Sequence, residues 1–232
     1  MNTKFLWNTP IKKLPFKLVV QDEAEIWRAA DFWIKEPETI AWIDSFAPGS
    51  VFWDIGANIG VFSLYAVMKG VRVESYEPEP KNFDRLQENI EANGFYKKQI
   101  YARNIAMSDF IGKGRFDVSE SMAGYSRGQL KDYDENFSGT FVRTIDQQVK
   151  SLGISPTHIK IDVDGHEWRI LQGAAVTLGN PELKSVLVEV NNCYADIDGY
   201  MKSFGFSDFN RFNGPDINRR ANQKSRNVIY LR

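Results

Sequence analysis

The sequence predicts an α/β fold, a three-layer sandwich around a mostly parallel seven-stranded sheet that ends in an antiparallel C-terminal hairpin. Three observations predict it. From residue 51 onward, short runs rich in Val, Ile and Leu alternate with segments of helical period, the pattern of parallel βαβ units with right-handed crossovers. The first run breaks into a glycine-bearing turn, Asp54-Ile-Gly-Ala-Asn-Ile-Gly60, at the kind of strand–helix junction where open α/β sheets bind ligands. The last two runs, FSDFN and NVIYLR, are joined by a polar loop rather than a helix, which suits an antiparallel pair at one sheet edge.

Taken in order, FKLVV (16–20) reads as a short strand and PETIAWIDSF (37–46) as a helix that Pro37 starts and that stops before Pro48-Gly49. VFWDIG and VRVESYE are strands separated by the helical segment GVFSLYAVMKG. KNFDRLQENIEANG is an amphipathic helix with Gly94 placed as its C-cap. QIYARNIA, HIKIDV and KSVLVEVN are further strands, and DGHEWRILQGAAVTL and ADIDGYMKSFG are further helices. Between residues 107 and 143 the pattern breaks at Gly112, Gly114, Gly124, Gly128 and Gly139, so a loop-rich insertion, suited to covering a substrate, is expected there. The expected organisation is an N-terminal extension over 1–47 packed on a single domain over 48–232.

Composition narrows the functions. The 232 residues are 43% hydrophobic and 25% charged with net charge −1, so no global basic field is available to hold a polyanion and no nucleic-acid partner is expected. The single cysteine, Cys193, excludes an intrachain disulfide and a cysteine-based metal cluster. Residues 1–16 mix Lys4, Lys12 and Lys13 with Pro10 and Pro15, and no window approaches the roughly 20 apolar residues that span a bilayer. A soluble cytoplasmic protein without a membrane span is expected, and a homo-oligomer stays open.

The turn carries the most chemistry. Its glycines follow G-x-x-x-G, not the G-x-G-x-x-G of dinucleotide sites, and Asp54 stands two positions before the first. An aspartate there repels a diphosphate but suits an ammonium group, such as the methionyl end of S-adenosylmethionine. A nicotinamide-dependent oxidoreductase is correspondingly disfavoured. Asp54, Gly56, Ala57, Asn58 and Gly60 are therefore candidate cofactor residues, against the alternative of a tight turn with no ligand. Glu77, at the end of the second strand with Pro78 after it, is placed to accept both ribose hydroxyls of an adenosine. Asn104 and Ala106, after the third strand, fall where the adenine ring should lie, although a plain surface turn explains them nearly as well.

Three blocks, FWDIGANIGVFSLYA, SYEPEPKNFDRLQENIEAN and HIKIDVDGHEWRILQGA followed by LVEVN, resemble the FkbM-type methyltransferases in content and order, over roughly residues 50–191. KEPETIAWIDSF upstream is similar to the lead-in of bacterial members. IKIDVDGHE is the most specific block, whereas DIGANIG alone indicates only class I methyltransferases. The resemblance implies a class I methyltransferase (Rossmann-like) fold and methyl transfer from S-adenosylmethionine, most often to a hydroxyl of a sugar, polysaccharide or polyketide.

Methylating an alcohol calls for a base, because the hydroxyl proton must leave as oxygen attacks the methyl group. His166 is the titratable candidate near pH 7, with Asp162 and Glu189, at the ends of adjacent strands, as rivals. Paired carboxylates there, with Asn191, can also take a divalent ion. Mg²⁺ is thus compatible but not predicted, and no metal ligand is assigned. Asp164 reads as a cap for the following helix, and Glu167 as a first-turn acid that suits the helix dipole. Lys160 faces the same side as Asp162 and either pairs with a carboxylate or steers an anionic acceptor. Most tryptophans read as core. Tyr125 and Tyr133 in the insertion are candidates for stacking on a sugar, and Arg127 for recognising a carboxylate or phosphate. An RNA or protein methyltransferase is the alternative within enzymes, weakened by the near-neutral charge and the absence of an N/D-P-P-[YF] signature. A non-catalytic module binding S-adenosylmethionine or adenosine is the alternative outside them.

Overall fold

The computed structural model describes residues 5–7, 14–95, 99–118, 128–131, 139–190, 194–209 and 226–232. An antiparallel ribbon of β1 (Phe5–Trp7) and β2 (Leu18–Val20) leads into helices α1 (Glu23–Lys35) and α2 (Pro37–Asp44). Then come β3 (Val51–Ile55), α3 (Val61–Met68), β4 (Arg72–Tyr76), α4 (Pro80–Asn93) and β5 (Ile100–Arg103). Short strands β6 (Ala106–Met107), β7 (Gly112–Val118), β8 (Gly128–Lys131) and β9 (Thr140–Arg143) follow. The chain closes with α5 (Ile145–Leu152), β10 (His158–Ile161), α6 (Glu167–Gln172), α7 (Ala175–Gly179), β11 (Ser185–Val190), α8 (Tyr194–Ser203), β12 (Ser207–Asp208) and β13 (Arg226–Leu231).

The main sheet has seven strands in the order β12-β13-β11-β10-β3-β4-β5. β11, β10, β3, β4 and β5 are mutually parallel, and β13 runs antiparallel to both β11 and β12. Its strands are apolar on both faces because helices cover both. Phe52, Val73, Leu187 and Ile229 join the core under α1, α2 and α3, while Trp53, Ile159, Ile161, Val186 and Val188 join the core under α5 to α8. The two-residue period then sets Asp54 and Lys160 on the first of these faces, beneath the amino-terminal helices.

Three features differ from the sequence reading. The segment over 107–143 holds strands of a second sheet, ordered β6-β9-β7-β8. Gly-Lys-Gly-Arg in β7 lacks the β-branched residues that announce a strand. Helix α1 is an addition, and it opens on a capping box in which Asp22 accepts from the Glu25 N–H and the Glu25 carboxylate returns to the Asp22 N–H. The helix expected over 164–178 is two helices broken at Gly173, where a Cβ would lie 2.2 Å from the Ser108 carbonyl oxygen. Its N-cap is His166, not Asp164, which sits in the left-handed region at φ 56°.

The amino-terminal elements are bound to the sheet by polar groups as well as by Phe16, Leu18 and Phe32. The Asn89 carboxamide accepts from the Val19 N–H (2.7 Å) and donates to the Ile59 carbonyl (2.8 Å). One helical turn on, Asn93 does likewise for both backbone groups of Lys17. Arg85 meets Glu25 at 3.2 Å, with both side chains buried, and burial raises the Glu25 pKa. Removing one partner of such a pair leaves an uncompensated charge. Arg85→Met is therefore expected to lower unfolding stability by about 3 kcal/mol in urea titrations, and Arg85→Met with Glu25→Gln, which removes the stranded charge but keeps the capping acceptor, by less.

Tryptophans divide unevenly. Trp42 and Trp53 are fully buried, but Trp27 is 46% exposed on α1. The Trp42 indole N–H donates to Ser185 Oγ at 2.8 Å, and the same oxygen lies 2.7 Å from His158 Nδ1. His158 also stacks on Phe46 with centroids 3.8 Å apart. Burial pulls the His158 pKa from 6.5 down to about 4, with Lys184 adding repulsion. The unfolded chain thus binds the proton more tightly than the native one, so stability present above pH 6.5 falls as pH is lowered towards 4. A His158→Phe variant should lose that part of the slope in unfolding measured from pH 7.5 to 4.5.

Candidate functional site

The carboxyl ends of β3, β4, β10 and β11 lead into Asp54, Glu77, Asp162 and Glu189, so the sheet itself aligns four acids along one edge. In the turn after β3, the N–H groups of Gly56 and Ala57 both donate to the Tyr76 carbonyl, at 2.9 and 3.1 Å. Gly56 has φ 81°, and a Cβ there would sit 1.9 Å from the carbonyl oxygen of Asp162. Its missing side chain serves the protein's own backbone, letting the β3–α3 and β10–α6 turns touch. Gly60, at φ 90°, starts α3 without a side-chain cap, leaving first-turn N–H groups for a ligand or water.

Asp54 is 1% exposed. One oxygen, Oδ2, accepts from Ser63 Oγ–H, whose hydroxyl also contacts Ser75 Oγ at 2.7 Å. The other, Oδ1, is buried and has no hydrogen-bond partner among the described residues. Burial raises the Asp54 pKa against the pull of Lys160 and Ser63. A buried acceptor without a donor is costly to fold around, and an ammonium group satisfies it.

Glu77 is held by two backbone donors. Asn58 N–H reaches Oε2 at 2.7 Å and Glu79 N–H reaches Oε1 at 2.9 Å. Asn58 makes its contact from the left-handed region, φ 53°, with its own Oδ1 accepting from the Ile59 N–H. Burial nonetheless pushes the Glu77 carboxyl up to about 7. Asn104 donates to the carbonyls of Glu77 and Pro78, at 2.9 and 3.0 Å, and so clamps the two loops together. Ala106 is buried in β6, paired with Val142.

Lys160 is 1% exposed, and its Nζ donates to Asp162 Oδ2 at 2.6 Å. Burial alone lowers its pKa, but Asp162, Glu36 and Asp54 outweigh burial and raise it. Burial opposes ionisation of Asp162, yet Lys160 wins and holds that carboxyl well below the usual range. Ile161 pairs with Val188 in the parallel β10–β11 ladder, so Asp162 and Glu189, one residue further on, stand side by side at the sheet edge. Glu36, which accepts from Thr39 and from Asn227 at 3.1 Å each, is a member of this charge cluster that the sequence reading missed. Nothing local announces it, because it arrives from the junction of α1 and α2.

The IKIDVDGHE block divides between two tasks. Glu167 is 4% exposed and accepts from the N–H groups of Gly165 and Val163, at 2.9 and 3.4 Å, so it braces the loop. His166 turns its Nε2 to Ser108 Oγ at 2.9 Å. Tyr125, Arg127, Tyr133 and Asn191 lie outside the described residues. Among those described, no group of three or more His, Cys, Asp or Glu side chains is arranged to hold a metal ion, and no helix is long and apolar enough to cross a membrane.

Residues 54–207 match the methyltransferase FkbM domain. A hexuronic acid methyltransferase of Haloferax volcanii is 30% identical over 179 residues, covering 75% of this chain and 70% of its own. The 31-O-demethyl-FK506 methyltransferase of Streptomyces tacrolimicus is 28% identical over 185 residues, covering 66% and 68%. Among solved structures, magnesium protoporphyrin IX methyltransferase from Synechocystis PCC 6803, determined with bound S-adenosylmethionine, superposes with TM-score 0.53 at 14% identity over 91% of this chain and 84% of that one. Precorrin-6y C5,15-methyltransferase from Geobacter metallireducens gives 0.50 at 11% identity, over 85% and 86%. The sheet order, the turn after β3 and the match over two-thirds of the sequence agree: this chain belongs to the FkbM family of S-adenosylmethionine-dependent methyltransferases.

Proposed function

We propose that the chain transfers a methyl group from S-adenosylmethionine to a hydroxyl of a sugar, glycan or related secondary metabolite. The observation that carries the cofactor assignment is the buried Oδ1 of Asp54 beside the β3–α3 turn, without a hydrogen-bond partner among the described residues, an acceptor suited to the methionyl ammonium. Glu77 takes the ribose hydroxyls, with Gly56, Ala57, Asn58, Gly60 and Pro78 shaping the bed and Asn104 and Ala106 flanking the adenine. When bound, the cofactor supplies an electrophilic methyl group on a sulfonium.

For the acceptor, support comes from the relatives, one acting on hexuronic acid and one on a demethylated FK506. His166 takes the hydroxyl proton. Asp162 is a weaker base, because Lys160 depresses its basicity. Lys160 itself is committed to Asp162, which leaves acceptor recognition to Tyr125 and Arg127 of the insertion. The protein works in the cytoplasm without nucleic acid.

Calorimetric titration with S-adenosylmethionine and S-adenosylhomocysteine tests the cofactor reading, and a panel of hydroxylated sugars with and without Mg²⁺ tests the acceptor. Micromolar binding and turnover are expected. Binding to neither ligand by the folded protein would overturn the reading, and binding without turnover across the panel would favour a non-catalytic module. The Glu77 carboxyl must be ionised to accept two ribose hydroxyls, and it titrates near 7 in the free protein. Affinity should therefore rise with pH between 6 and 8 and level off above. Glu77→Gln should bind weakly at every pH.

A further inference from the structure

Ser108 is fully buried, at the end of β6. Its hydroxyl has one proton and, among the described residues, two hydrogen-bonding neighbours, Asp109 Oδ1 at 3.0 Å and His166 Nε2 at 2.9 Å. Asp109 Oδ1 also receives both the Nε and an Nη of Arg169, each at 2.9 Å. An ionised carboxylate can only accept, and the Arg169 and Ser108 hydrogen bonds outweigh burial to keep Asp109 below its ordinary pKa. The serine proton is therefore committed to Asp109, and the serine oxygen faces His166 as an acceptor.

The position of Ser108 is itself fixed. Its N–H donates to the Arg143 carbonyl at 2.9 Å, and its own carbonyl oxygen packs where Gly173 lacks a side chain. Arg169 lies over the Phe110 ring, 5.5 Å from its centroid. The arrangement is a chain, Arg169 to Asp109 to Ser108 to His166, built from the helix that His166 caps and the strand end beside it.

We propose that Ser108 and Asp109 are positioning residues that set the tautomer of His166, holding the proton on Nε2 so that Nδ1 carries the basic lone pair. A neutral imidazole has one donor and one acceptor nitrogen, and the partner of one decides the role of the other. Ser108 offers a lone pair, so Nε2 must be the N–H. Taking the acceptor hydroxyl's proton on Nδ1 then leaves an imidazolium whose Nε2–H still points at Ser108 Oγ. This assignment rests on the reading of His166 as the base, and it names the atom that does the work.

The test needs neither acceptor nor turnover. The chain has two histidines, so the ¹⁵N spectrum of histidine-labelled protein at pH 8 contains two imidazoles, with buried His158 reporting on folding. Wild-type His166 is expected as the Nε2–H tautomer, and Asp109→Ala should move its signals towards Nδ1–H, because the freed serine proton can turn to Nε2. Asp109→Asn, whose amide oxygen still accepts from Ser108, should restore the wild-type pattern. An Nδ1–H tautomer in the wild type, or no change in Asp109→Ala, overturns the proposal. If Asp109→Ala fails to fold, as the His158 signal would reveal, the wild-type tautomer alone decides. Loss of turnover in His166→Asn tests the base reading separately, so either claim can fall without the other.

Discussion

Gly56→Ala is expected to lower unfolding stability by more than about 4 kcal/mol and to abolish cofactor binding in whatever fraction still folds. Two effects combine. The residue has φ 81°, where a Cβ is strained, and that Cβ would meet the Asp162 carbonyl oxygen at 1.9 Å. The colliding atom is main chain at the end of the central strand β10, so no rotamer change relieves it. Either the β3–α3 turn or the β10–α6 loop must move, and those two segments carry Asp54, Asn58, Asp162 and His166. Thermal unfolding followed by circular dichroism reads the first effect, and calorimetry with S-adenosylhomocysteine reads the second. A stable, binding-competent Gly56→Ala protein would mean that the two loops are not in contact.

Asp54→Asn is expected to weaken S-adenosylmethionine binding about 100-fold, the size of one hydrogen bond to a charged group, about 2.7 kcal/mol. The substitution keeps the side chain's shape and the contact with Ser63 but removes the charge. If Asp54 only balances Lys160, stability will fall and affinity will stay. If it holds the ammonium, affinity will fall for every ligand that has the amino-acid end, while adenosine, which lacks it, binds both proteins alike. The comparison between ligands separates the two roles within a single protein pair.

What the sequence made legible was local. The strand runs, the turn beginning at Asp54 and the C-cap at Gly94 are each written in a few adjacent residues, and each lies where periodicity and spacing placed it. The adjacency of Asp162 and Glu189 followed from parallel topology. Lys160 was harder, because its surroundings depend on Glu36, brought over the sheet edge by a helix whose capping signal, Asp22 with Glu25, is short and easily passed over. Ser108 and Asp109 form a commonplace dipeptide, and only the close approach of Ser108 to His166 and Gly173, far on in the sequence, reveals them. The strands of the insertion stayed hidden because glycine and charge dominate β7.

The Asn89 carboxamide holds Val19 with one end and Ile59 with the other, and this shared bolt ties the amino-terminal ribbon to the turn proposed to cradle the cofactor. Anything that settles on the turn should slow amide exchange in residues 17–20, far along the chain from the contact. Conversely, a clone begun at residue 48 would expose the guanidinium of Arg85 and release one hand of Asn89. It would also bare the sheet face now covered by Phe16, Leu18, Phe32 and Trp42, so the loss would reach the turn through Asn89 as well as the core.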